Sequence, residues 1–149
     1  HLPAGYLALR KWAVGTTLAA GLVGSIAPDL DILWFYFVDN RATHHHEYIT
    51  HRPLVWLIIC VLAFANIRNR LGKIALAFGL GGLLHMMLDT IAGSITWGWP
   101  FFHEPLTLVH VPATHSNWII SFLTHWTFGI EVLVTLTAAG FAIKDYTRR

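Results

Sequence analysis

The stretch "KIALAFGLGGLLHMMLDTIA", residues 73–92, decides the class of fold. Between Lys73 and His85 it has no polar side chain, and it matches the length of about 20 residues that a helix needs to cross a bilayer. Near its end stand His85 and Asp89, which share one helix face because they are four positions apart. Ionisable groups are costly in lipid unless they are paired or line a cavity, so the pair indicates a functional site. The alternative is a hydrogen-bonded pair that ties two helices together.

The rest of the chain also has the composition of a membrane protein. Of its 149 residues, 55% are hydrophobic and only 12% are charged, whereas soluble domains have about 25% charged residues. The length predicts a single domain over residues 1–149. A formal net charge of +2 gives no indication of a nucleic-acid partner. The single cysteine, Cys60, excludes an intrachain disulfide framework.

Three further apolar regions complete a predicted all-α, integral membrane helical bundle. Residues 53–67 carry no charge, and residues 118–143 are long enough to cross the membrane with a tilt. Residues 2–27 are apolar but are interrupted by "RKW" at 10–12, which predicts a short N-terminal helical hairpin. One long span that begins near Lys11 is the alternative. The bundle therefore has three to four predicted spans in addition to the hairpin.

The basic residues predict how the chain is oriented in the membrane. Eight of the ten form three clusters that fall on one side if the spans alternate: Arg10 with Lys11, Arg68 with Arg70 and Lys73, and Lys144 with Arg148 and Arg149. Arg41 and Arg52 lie on the opposite side. The positive-inside rule assigns the side of the three clusters to the cytoplasm. The loops 28–52 and 93–117 then face the periplasm or the exterior. We expect a multi-pass protein of a bacterial or archaeal cytoplasmic membrane with its site at the outer face.

Two further polar motifs fall at the same predicted membrane face. The motif "PDLD" (28–31) supplies Asp29 and Asp31, two carboxylates that can turn toward one cation, although a solvated turn is the plainer interpretation. The motif "THHHEYITHR" (43–52) places four histidines and a glutamate close together, with an exposed tract as the alternative. Imidazole suits Zn, Fe, Ni and Cu, and carboxylates add harder ligands. Together the polar motifs predict a site for one metal ion or two.

In order and spacing, these motifs resemble the membrane-bound metal-dependent hydrolases of the YdjM-like family, which is in turn similar to zinc-dependent phospholipases C. The resemblance covers about residues 1–100 and rests on an early histidine, "PDLD", "HEYITHR", "GLLHMMLD" and "WGWPFF". The metal ligands that it implies are His1, Asp29, Asp31, His46, His51, His85 and Asp89. The implied cofactor is a divalent metal, Zn with Mn or Fe as alternatives, present as one ion or two.

The resemblance also implies a reaction, hydrolysis of a phosphoester in a lipid or lipid-linked substrate. Asp31 or Glu47 is the expected general base. The chain departs from the family pattern where Glu47 and Tyr48 replace the usual Arg-Gly, and where Arg52 replaces a small residue. If the family arginine contacts a phosphate, Arg52 or Arg41 has to take its place here.

Two other functions fit the same residues. A metal transporter or sensor would use these ligands without hydrolysis, but it needs a polar path, and residues 53–67 contain no ionisable side chain. A purely structural membrane protein would use the His–Asp pairs as packing contacts and bind no metal. His125 and Glu131 in the last apolar region have no assigned role. Contact of Glu131 with a second copy of the chain would imply a homo-oligomer.

Overall fold

The computed structural model describes residues 1–148, without the Trp118 side chain, and the regular structure of this part is helical. The α-helices are α1 (Leu2–Leu9), α2 (Gly15–Gly24), α3 (Asp31–Phe37), α4 (Pro53–Ala65), α5 (Arg70–Ala92), α6 (Trp118–Leu123) and α7 (Trp126–Thr147). Short 3-10 turns cover Pro28–Leu30, His45–Glu47 and Ile49–His51. The prediction of an all-α bundle is confirmed; Arg149, assigned above to a basic cluster, lies outside the described residues.

Two helices of the described chain, α5 and α7, are long and apolar enough to cross a membrane. Helix α2 and the segment Pro28–Phe37 pass the same test together, but a bend of 54° makes them a broken span or a re-entrant loop. Helix α4 has 13 residues, fewer than the roughly 20 needed for a full crossing. By length and composition the described residues hold two or three spans, and the predicted 53–67 span is shorter than expected.

The two predicted regions at the chain ends have different outcomes. The N-terminal hairpin is confirmed, because α1 ends at Leu9 and α2 begins at Gly15, whose φ of +54° suits glycine. The predicted span 118–143 is instead divided into α6 and α7. The side chain of His125 accepts a hydrogen bond from the backbone N–H of Thr127 and thereby caps the start of α7.

Helix α5 is the centre of the bundle, and glycines allow α2 to approach it closely. A Cβ atom on Gly24 would collide with the carbonyl group of Phe78, and one on Gly81 would lie 2.7 Å from the Ser25 amide nitrogen. Small residues of this kind let helix backbones meet in membranes. The close approach brings the end of α2 beside the imidazole of His85.

On its other side, α5 packs against α4. The ring of Trp56 lies over Gly82, where no larger side chain would fit, and Trp56 shares a buried core with Met86 and Ile95. The indole nitrogen of Trp56 donates a 2.7 Å hydrogen bond to the Thr50 carbonyl oxygen. This bond fixes the histidine-rich turns above the C-terminal half of α5.

At the opposite end of the bundle, polar contacts hold α1 to α7. Arg10 donates to both carboxylate oxygens of Asp145, at 2.9 and 2.8 Å, and the Tyr6 hydroxyl donates to Asp145 at 2.7 Å. Arg70 donates to the Thr16 hydroxyl at 3.2 Å. The basic clusters near these residues therefore lie at one end of the bundle, as the sequence predicted, and the His–Asp residues of α5 lie toward the other.

Candidate metal centre

The structure brings together all of the residues predicted as metal ligands. Their nitrogen and carboxylate oxygen atoms form a continuous network with contacts of 2.6 to 3.9 Å; its members are His1, Asp29, Asp31, His46, His51, His85 and Asp89. Asp89 is the hub. Its Oδ1 atom contacts His1, and its Oδ2 atom faces His51 and His85. We name this network, with His45 added below, the His–Asp cluster.

His85 has a defined orientation at the floor of the cluster. Its ring is fully buried, and its Nδ1 atom lies 2.9 Å from the Ser25 carbonyl oxygen. Because a carbonyl only accepts, Nδ1 carries the hydrogen, and a neutral ring leaves a lone pair on Nε2. That Nε2 atom lies 3.1 Å from Asp89 Oδ2 and 3.5 Å from Asp29 Oδ1. A lone pair that faces two carboxylate oxygens calls for a proton or a metal ion between them.

His51 repeats this arrangement from the other side. Its buried Nδ1 atom donates to Asp31 Oδ2 at 2.6 Å, and its Nε2 atom lies 3.4 Å from Asp89 Oδ2. The Thr50 hydroxyl also donates to Asp31 Oδ2. A histidine that binds metal through one ring nitrogen typically donates the N–H of its other ring nitrogen to a carboxylate, as His51 donates to Asp31. Asp31 Oδ2 therefore orients His51, while Asp31 Oδ1 has no hydrogen-bond partner, so the ligand and base roles expected of Asp31 stay predictions.

A set of buried atoms without hydrogen-bond partners points to a cation. In the part of the chain that the structure describes, these side-chain atoms are Asp31 Oδ1, His45 Nδ1, His46 Nδ1, His51 Nε2, His85 Nε2 and Asp89 Oδ2. All of them belong to the His–Asp cluster. A buried polar atom left unpaired costs about 1–3 kcal/mol, and native proteins keep few of them. A bound cation would satisfy these atoms together, so the residues fit a metal.

The possible ligands fall into three overlapping sets whose donor atoms lie within 4.8 Å of one another. The sets are His45 with His46 and His51, His1 with Asp29 and His85, and His51 with His85 and Asp89. Since His51 and His85 each belong to two sets, the sets form one connected group of donor atoms that could hold one ion or two. His45 was not predicted as a ligand. The triple histidine indicated its region, but only the 3-10 turn shows that the His45 ring lies beside the other donors.

Two loop histidines of the cluster differ in charge. Burial lowers the pKa of His46 to about 3, so its ring is neutral and keeps a free lone pair at neutral pH. Burial also opposes the charged form of His51, but its contacts with Asp31 and Asp89 outweigh this and raise its pKa to about 9. In the described residues the ion pairs of the cluster carboxylates are all with histidines. The negative charge is therefore balanced by protons on imidazoles or by a metal ion.

The predicted catalytic residues Glu47 and Arg52 lie beside the cluster and not within it. Both line an open cleft of about 620 Å³, together with His44, His46, Ser94, Thr96 and His103. Arg52 donates a 2.6 Å hydrogen bond to the Glu47 carbonyl oxygen, and its guanidinium lies 5.8 Å from the centre of the Trp99 ring. His46 belongs to both the cleft and the cluster. Arg41 instead lies over the ring of Tyr36, so Arg52 is the better candidate for a phosphate contact.

These features define a class of protein, a helical integral membrane protein with a His- and Asp-rich candidate metal site at the end of its central helix. A family model described as YdjM inner membrane protein matches residues 2–147. The chain belongs to this family, and the resemblance predicted from residues 1–100 is confirmed over nearly the whole chain. No curated protein and no solved structure matches it. The similarity to zinc-dependent phospholipases C stays a prediction.

Proposed function

We propose that this protein is a metal-dependent hydrolase that cleaves a phosphoester of a lipid or lipid-linked substrate at the outer face of the membrane. The observation that supports the proposal most strongly is the convergence of unpaired nitrogen and oxygen atoms in the His–Asp cluster. Neutral imidazoles and carboxylates are together the donors that suit Zn, with Mn or Fe as alternatives. When bound, a divalent ion polarises a phosphoryl oxygen and makes water a nucleophile at neutral pH.

In this proposal, one set of residues binds the metal and another contacts the substrate. His51, His85 and Asp89 would hold the ion, and further donors come from His1, Asp29, His45 and His46. Asp31 and the Ser25 carbonyl keep two of the imidazole rings in the orientation that directs Nε2 inward. Rings that are fixed in advance lose little freedom when the ion binds, which favours a tight site.

The open cleft supplies the groups that would contact the headgroup. Arg52 offers a guanidinium to phosphate oxygens, for which its fork of N–H groups is well suited. The exposed carboxylate of Glu47 lines the same cleft and is the favoured general base. Asp31 is less available for this role because its Oδ2 atom already accepts two hydrogen bonds.

The basic clusters at the far end of the bundle support the proposed orientation in the membrane. With that end in the cytoplasm, as the positive-inside rule requires, the cluster and the cleft face outward. A transporter would instead need polar groups along the bilayer, and α5 has none between Lys73 and His85. A site confined to one end of α5 favours chemistry on a substrate over passage of an ion.

A hydrolysis assay on purified protein tests the proposal. The detergent-purified protein, loaded with Zn²⁺ or Mn²⁺, is incubated with total bacterial phospholipids, and lipid products are followed by mass spectrometry. We expect loss of one phosphoester lipid class with the wild type and with His110→Ala, an exposed loop histidine outside the cluster. Activity should disappear in His85→Ala. Metal-loaded, monodisperse protein that leaves every phosphoester lipid intact would refute the proposed reaction.

A further inference from the structure

A second cavity lies beside the His–Asp cluster, between α1, α5 and α7. It has a volume of about 90 Å³, several times the roughly 10–15 Å³ that one water molecule requires. Its walls are mostly apolar and include Pro3 and Ala4 of α1, Leu88 and Ile91 of α5, and Ile130 and Val134 of α7. Apolar cavities stay dry and bind apolar molecules. The cavity is therefore suited to hydrocarbon.

The cavity adjoins the candidate metal centre directly. His1 lines its wall, and the Nε2 atom of the same ring lies 2.6 Å from Asp89 Oδ1. On α5, Leu88 and Ile91 face the cavity on either side of Asp89 in the sequence. A molecule with one end at the cluster would thus place its next atoms at the mouth of the cavity.

The position of the cavity and the charge on its wall indicate which kind of ligand it can accept. It lies between the two candidate membrane-spanning helices, and on the α7 side its wall residues Ile130, Glu131 and Thr135 are exposed, so it opens sideways. The carboxylate of Glu131 on the wall repels a phosphate group. An anionic headgroup is thereby kept out of the cavity, while an uncharged chain is accepted.

We propose that this cavity holds the first few methylene groups of a hydrocarbon tail of a membrane lipid whose headgroup lies at the His–Asp cluster. The proposal rests on the proposed function for the headgroup, and it narrows the substrate to a lipid that enters sideways from the bilayer. Because a lipid tail is already in an apolar phase, its transfer adds little affinity. The cavity acts by position: it fixes the tail so that the scissile bond stays near the cluster and the cleft.

The test is photo-crosslinking of detergent-purified, Zn²⁺-loaded protein with a phosphatidylethanolamine that carries a diazirine in one acyl chain, with lipid products followed in the same samples. Labelled peptides mapped by mass spectrometry should come from residues 88–92 and 127–135. Ala4→Phe and Val134→Phe fill the cavity from two different helices and should each lower labelling of these peptides several-fold. The matched control is Ala139→Phe on the exposed side of α7, which should leave labelling unchanged.

The possible outcomes separate this proposal from the proposed function. Labelling spread evenly over the exposed apolar residues of α4 and α7, or unchanged in a monodisperse cavity-filled variant, would overturn the tail site even if lipids are hydrolysed. Cavity-specific labelling without any hydrolysis would support the tail site and count against the reaction. Since the filling residues lie on separate helices, misfolding of one variant leaves the other as the test.

Discussion

Replacement of Asp31 by asparagine separates a residue that orients a ligand from a ligand itself. The substitution keeps the shape of the side chain but removes its negative charge. In the wild type, the charged Oδ2 atom accepts hydrogen bonds from His51 Nδ1, at 2.6 Å, and from the Thr50 hydroxyl. Loss of such a partner of a metal-binding histidine typically lowers metal affinity by about 10–100-fold. That range corresponds to about 1.4–2.8 kcal/mol of binding free energy. Loss of a direct ligand should cost more.

A competition titration with a chromophoric zinc chelator on metal-free protein measures this affinity. The matched control is Asp39→Asn, since Asp39 also accepts two hydrogen bonds, from Thr43 at 2.8 Å and Tyr48 at 2.6 Å, but lies outside the cluster. We expect the control to bind zinc like the wild type. An Asp31→Asn variant with unchanged affinity, or a control that loses as much, would refute the orienting role.

Three further predictions follow from the packing, the cleft and the orientation. Gly24→Ala should lower thermal stability by about 1–3 kcal/mol, because its Cβ would strike α5, whereas Gly129→Ala, which has open space, should not; melting curves in detergent check this. Arg52→Ala should raise KM for the lipid at least about tenfold, by loss of a charge-assisted bond, while metal content stays unchanged. A cysteine introduced at His110 should react with a membrane-impermeant maleimide in intact cells, whereas a cysteine at Asn69 should react only after lysis. The reverse pattern would show that the proposed orientation in the membrane is wrong.

The central helix could be predicted from the sequence because length, apolar composition and the i, i+4 pair all depend on local spacing. From this pattern alone, His85 and Asp89 were predicted to be part of a functional site. The end points of other helices were harder to predict. At the break before α7, His125 caps the new helix through the backbone N–H of Thr127, and an apolar composition that continues across the break does not reveal this contact.

The cluster was predicted from residue types and from the order of the motifs, but its internal pairing could not be. The Ser25 carbonyl meets His85 across 60 positions of sequence, and it does so because glycines on α2 and α5 allow the backbones to touch. The sequence predicted Asp31 as a ligand and base, but it did not predict that tertiary packing turns one of its oxygens, Oδ2, toward His51. His45 lies in the cluster because of the 3-10 turn His45–Glu47, and three adjacent histidines in a sequence do not predict that turn.

The central claim is that the His–Asp cluster binds metal, and elemental mass spectrometry of chelator-free, detergent-purified protein tests it most directly. We predict one to two equivalents of Zn, Mn or Fe in the wild type and in His110→Ala. The double variant His85→Ala, Asp89→Ala should lose this metal while it stays monodisperse and helical. Absence of stoichiometric metal from the wild type, or full retention by the folded double variant, would contradict the claim and leave the His–Asp contacts as a structural device.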